Sequence, residues 1–132
     1  VDGIETRLRE GVVKAAGADA ERFVPYIQMH ELEALFFAQP GTLAETLGMP
    51  EQTGIFETIV TECKGCESIN DSPTTAPSKR LQQHCPRYIK GRSSAAHAPR
   101  LGARLDLRAV RAACPRFSAW LTQIEALAGL RT

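Results

Sequence analysis

Apolar residues recur at helical spacing from the start of the chain. Ile4, Leu8, Val12 and Ala15 share one face, and Asp2 with Glu5 has capping-box spacing. A first helix of about four turns, ending at Gly17, is predicted. After a short Ala/Gly/Asp connection the pattern changes: Phe23-Val24-Pro25-Tyr26-Ile27-Gln28-Met29 is rich in residues suited to a strand, with Pro25 placing it at an edge. From His30 the period is helical again, through Leu32, Leu35 and Phe36, and stops before Pro40. Thr42 and Glu45 form a second capping box, opening a short helix through Leu43 and Leu47 that stops near Gly48.

Pro50 begins the next helix, whose face of Ile55, Phe56, Ile59, Val60 and Cys63 turns Cys63 inward before Lys64-Gly65 ends it. Ser68 to Pro77 is dense in Asn, Asp, Ser, Thr and Pro and reads as loop. Thr75 caps a helix opened by Pro77 and running through Leu81. Pro86 to Gly102 shows no period and reads as an irregular arm. Leu105, Leu107 and Val110 give a short helix. Pro115 opens a core-facing closing helix through Phe117, Trp120, Leu121, Ile124 and Leu127. The expected fold is α+β and mostly helical: one strand near residues 23–29, several helices after it, and a sheet supplied by residues outside this chain. An unpaired strand edge of that kind favours pairing with a second copy.

Composition narrows this only slightly. The 132 residues fit one domain. With 43% hydrophobic and 23% charged residues, neither disorder nor a membrane span is suggested, and a cytoplasmic protein is expected. The net charge of +1 excludes bulk attraction as the main hold on nucleic acid, so any such contact is local. Four cysteines are too few for a disulfide scaffold in a chain of this size.

Three groups of residues carry candidate chemistry. In His30-Glu31-Leu32-Glu33, His30 and Glu33 share a helical face, so an imidazole and a carboxylate there suit a divalent metal or an acid/base pair. In Thr75-Ala76-Pro77-Ser78-Lys79-Arg80, two cations in a first helical turn oppose the helix dipole by roughly a few tenths of a kcal/mol. An anion such as phosphate, bound by the free N–H groups, Ser78, Lys79 and Arg80, relieves the conflict. Cys63 and Cys66 have CxxC spacing, and with His84 and Cys85 give a zinc reading; ordinary reduced thiols are the plainer one. Asn70, Asp71 and Thr75 read as loop-fixing residues.

Arg22 to Phe37, then Ile69-Asn70-Asp71 with Thr75 to Arg80, then Cys114-Pro115-Arg116-Phe117 with Trp120-Leu121, together resemble the domain of unknown function family 4276. Their order and spacing span most of the chain from Arg22 onward. That family looks Toprim-related and similar to the overcoming-lysogenisation-defect nucleases, in which clustered acidic residues bind Mg²⁺ or Mn²⁺ to cut DNA.

The resemblance implies a larger Toprim-like α/β protein of which this chain is the C-terminal part. It implies metal ligation by Glu33 with His30 and Glu31, catalytic roles for Glu33 and Lys79, and DNA, a partner ATPase or a second copy of the chain as partners. The Glu-Gly turn and acidic strand end of a Toprim site are not in this sequence, so the implied site is incomplete and the chain alone is expected to be nearly inert. The CxxC and the stretch Ser93 to Arg104 depart from the family pattern. A non-catalytic interaction module and a small zinc-binding module stand as alternatives.

Overall fold

The computed structural model describes residues 2–17, 22–29, 31–69, 72–88 and 92–129. His30, Asn70 and Asp71 lie outside the described residues. The chain divides into two compact units, one comprising Val1–Met29 with Pro115–Thr132, the other His30–Cys114.

In the first unit, α1 (Asp2–Ala16) follows the capping and periodicity of its sequence. Its apolar face is not buried, however: Ile4 and Leu8 are 54% and 46% exposed. Residues 23–28 take no regular secondary structure, and no strand occurs among the described residues, so the α+β expectation is corrected to a mainly helical fold. The physical reason is that no neighbouring strand supplies a ladder, and side chains take its place. The Ile27 N–H donates to Glu5 Oε1 at 2.9 Å, and the Val24 carbonyl accepts from Trp120 Nε1 at 3.2 Å. Pro25 has no N–H to satisfy.

The closing helix α8 (Pro115–Leu127) forms where expected but buries none of its residues. It gathers half-buried aromatics instead. Tyr26 lies 5.1 Å from Trp120 and 6.2 Å from Phe117 between ring centroids, the latter edge to face, and Arg116 pairs with Glu5 at 3.0 Å.

The second unit holds the core. After the single turn α2 (Glu33–Phe36) comes α3 (Pro40–Thr46), in which Pro40 is the first helical residue, three positions earlier than the Thr42 box suggests. A residue that ends one helix can open the next because its fixed φ suits the first turn. A 3₁₀ turn (Pro50–Gln52) leads into α4 (Thr53–Glu62). Phe37 and Phe56 meet edge to face at 5.4 Å, and with Leu43, Ile69, Leu81 and Leu101 they are fully buried.

Helices α3 and α4 end in the same motif. At α3 the Met49 and Gly48 amides return to Ala44 and Glu45, and at α4 the Gly65 and Lys64 amides return to Val60 and Thr61. The left-handed position is Gly48 in the first (φ 74°) and Lys64 in the second (φ 60°). A 3₁₀ turn (Cys66–Ser68) follows, then α5 (Pro77–His84), α6 (Arg92–Arg104) and α7 (Leu107–Ala113).

Helix α6 overturns the irregular arm read from Pro86 to Gly102. Its sequence is helix-favouring through Ala96, Ala98 and Ala103, which leave no large apolar period to detect, and Pro99 sits inside it. Leu101 anchors it in the core, and Arg104 reaches Glu45 and Thr46 of α3 at 2.9 and 3.0 Å. Asp106 caps α7, accepting from the Arg108 N–H at 2.9 Å.

Candidate functional site

Two of the sequence motifs, 47 residues apart, meet in a hydrogen bond. Glu31, just before α2, accepts from the backbone N–H of Ser78 in the first turn of α5, with Oε2 to N at 2.7 Å. The helix has no side-chain cap from its own N-cap residue, Ala76. Glu31 therefore supplies from across the unit the cap that sequence reading assigned to Thr75, and its negative charge suits the positive end of the helix.

Glu33 lies two residues on, in α2, and is only 7% exposed. Its Oε1 accepts from the Tyr88 hydroxyl at 2.8 Å. Burial, the bond to Glu33 and the charges of Glu33 and Glu31 all push the Tyr88 phenol above its ordinary range, so it stays a neutral donor. Tyr88 belongs to none of the motifs that the sequence singles out. The signal that could have found it is general: a buried tyrosine needs a partner for its hydroxyl.

Ser78 completes the cluster. Its side chain is fully buried and its Oγ has no hydrogen-bond partner among the described residues. Buried hydroxyls are nearly always satisfied, so an orphan oxygen on the residue whose amide Glu31 accepts is notable. Two carboxylates and a hydroxyl make an all-oxygen donor set of the kind that suits Mg²⁺ or Mn²⁺. Among the described residues no three His, Cys, Asp or Glu side chains converge, so the cluster's carboxylates number two.

Lys79 and Arg80 diverge. Lys79 is exposed and its Nζ lies 3.3 Å from Gln82 Oε1 on the same helix. Arg80 turns back over the preceding loop, donating through Nε to the Thr75 carbonyl at 2.9 Å and through Nη2 toward Cys63 Sγ at 3.6 Å. Thr75 is itself fixed by Ser72, whose hydroxyl contacts Thr75 Oγ1 and accepts from the Thr75 N–H at 3.1 Å.

The residues of the zinc reading are dispersed. Cys63, half-buried, faces Arg80, and the His84 ring stands edge-on to Phe56 at 6.3 Å. Burial, with Glu51 nearby, pushes the Cys85 thiol up and favours its neutral form. Cys66 is buried against Cys114, with sulfurs 2.9 Å apart, a pairing across 48 residues that nothing in the sequence signals.

No helix is long and apolar enough to cross a membrane among the described residues. Searches of curated proteins and of solved structures give no match. The profile of the family described as "Domain of unknown function (DUF4276)" matches residues 1–125, nearly the whole chain, and the chain belongs to that family.

Proposed function

We propose that the chain handles a phosphate ester with the help of a divalent cation, in the manner of the Toprim-like nucleases its motifs resemble, with a DNA phosphodiester as substrate. The observation that carries this reading is the Glu31–Ser78 bond, which joins the carboxylate motif to the Ser-Lys-Arg motif in one cluster. Glu31 and Glu33 are each aligned by a neutral donor, a backbone amide and a phenol, as second-layer partners align the ligands of a cation. Ser78 Oγ offers a third oxygen. A bound Mg²⁺ or Mn²⁺ supplies Lewis-acid polarisation of a phosphoryl oxygen. Lys79, exposed next to Ser78, stands on the solvent side, where it meets a phosphate without first being desolvated.

Calorimetric titration with Mn²⁺ tests this on the wild type, Glu31→Gln and Glu33→Gln. Both amides keep an oxygen that accepts the existing bond, so the fold is preserved while the charge is lost. Saturable binding that weakens roughly tenfold or more in each variant, about 1.4 kcal/mol, is expected.

A second reading, a non-catalytic interaction module, draws on the same burial. With Glu33 at 7% exposure and the Ser78 N–H already taken, the polar motifs also serve to lock α2 and α5 together. Absence of Mn²⁺ binding in all three proteins would replace the first reading with the second.

A further inference from the structure

We propose that Cys66 and Cys114 are a reversible thiol–disulfide pair, a modification site in the second unit that takes a peroxide as oxidant and is independent of the carboxylate cluster. Their sulfurs lie 2.9 Å apart, and both residues are fully buried. A disulfide bond is about 2.05 Å long, so closure requires the sulfurs to approach by about 0.9 Å. The spacing also decides against a shared metal: two thiolates about 2.3 Å from a tetrahedral zinc stand about 3.8 Å apart.

Both sulfurs are aimed by backbone. Lys64 and Gly65, at φ 60° and 120°, turn the chain so that Cys66 enters the core while Cys63 remains half-buried against Arg80. Cys66 Sγ lies 3.3 Å from the Ala113 carbonyl, and Cys114 closes α7, its N–H donating to the Val110 carbonyl at 2.9 Å.

The pair is asymmetric. The hydrogen bond from Cys114 holds the Cys66 thiol below its ordinary range, and the same bond with burial pushes Cys114 well above it, so Cys66 is the first thiolate. The Cys66 sulfur attacks one oxygen of hydrogen peroxide. The O–O bond breaks, giving the sulfenic acid and, after protonation, one water. The Cys114 sulfur then attacks the Cys66 sulfur, the S–O bond breaks, the Cys114 proton leaves with the oxygen, and a second water is released. Two thiols and one peroxide thus give one disulfide and two waters. Peroxide is small and uncharged, which suits it to a buried pair.

The test treats the reduced full chain with hydrogen peroxide, blocks remaining thiols under denaturing conditions, and maps them by mass spectrometry. Wild type and Cys63→Ser should each lose two hydrogens and two blockable thiols, yield a cross-linked Cys66–Cys114 peptide, and regain both thiols on reduction. The oxidised wild type should also melt at a higher temperature than the reduced form. Cys66→Ser and Cys114→Ser should not form the link. Full blocking of Cys66 and Cys114 at a peroxide concentration that oxidises Cys63 would overturn the proposal, as would a Cys63–Cys66 link in the wild type. The wild-type map decides the matter even if a serine variant does not fold.

Discussion

At the scale of single residues the Glu33–Tyr88 contact carries the most consequence. The phenol is held above its ordinary range in the fold, so folded protein keeps that proton after an unfolded chain has released it. A group with a raised pKa stabilises the fold fully below its unfolded value, about pH 10 for tyrosine, and that contribution is lost as pH climbs toward the folded value. Stability should therefore fall as pH rises above about 10, and the fall should be smaller in Tyr88→Phe. The same variant removes the only described partner of a buried carboxylate, which costs about 1–3 kcal/mol near neutral pH. Urea melts at neutral pH and at alkaline pH check both. Equal alkaline losses in the two proteins would mean that other groups, not Tyr88, set the high-pH limit.

At the scale of elements the contrast between α8 and α6 is instructive. Helix α8 has the most legible pattern in the sequence, with aromatic and aliphatic residues at helical spacing, yet it buries none of them fully. Helix α6 has no legible pattern, yet Leu101 in its last turn is wholly buried. Periodicity reports that a face is apolar; what covers the face depends on the rest of the chain.

Pro99, exposed within α6, lacks the N–H that would close the helical bond to residue 95, at a cost of up to about 3 kcal/mol in a helix interior. Pro99→Ala restores that donor and gives up some rigidity of the unfolded chain. The expected result is a gain of about 1–2 kcal/mol, read from the denaturation midpoint. A loss on substitution would show that the packing of α6 depends on the proline ring.

The same physics explains what was legible in the candidate site. The two motifs were visible as local sequence, because capping boxes, carboxylate spacing and a Pro-opened helix are short-range signals. Their meeting through Glu31 and Ser78, the recruitment of Tyr88 and the Cys66–Cys114 pair depend on contacts between residues 47 to 55 apart, which no local pattern encodes. The strand expected from Phe23 to Met29 does not form, for a related reason. Its side chains favour a strand, but a strand also needs a neighbouring ladder, and here side-chain hydrogen bonds stand in its place.

For the molecule as a whole, the first unit joins the two ends of the sequence, and Glu5 is where they are tied. One carboxylate oxygen accepts both the Ile27 N–H at 2.9 Å and an Arg116 guanidinium N–H at 3.0 Å. The two bonds differ in kind. The ion pair is partly exposed, with Arg116 and Glu5 side chains at 36% and 21%, so solvent screening leaves it worth about 1 kcal/mol or less. The amide bond holds a segment that has no ladder, and a charged acceptor there contributes about 1.5–3 kcal/mol.

Two substitutions separate these contributions. Glu5→Gln keeps an oxygen for the Ile27 amide while removing the charge that Arg116 pairs with, and Glu5→Ala removes both. Amide hydrogen exchange at Ile27 should remain slow in Glu5→Gln and become fast in Glu5→Ala. Trp120, the only tryptophan, reports the same event by fluorescence because its indole holds the Val24 carbonyl three residues away from that amide. If both variants exchange at the wild-type rate, the segment is held by Tyr26 and the aromatic rings of α8, and the Glu5 bonds merely follow their arrangement. If both become fast, the ion pair fixes Glu5 in place and the amide bond depends on it.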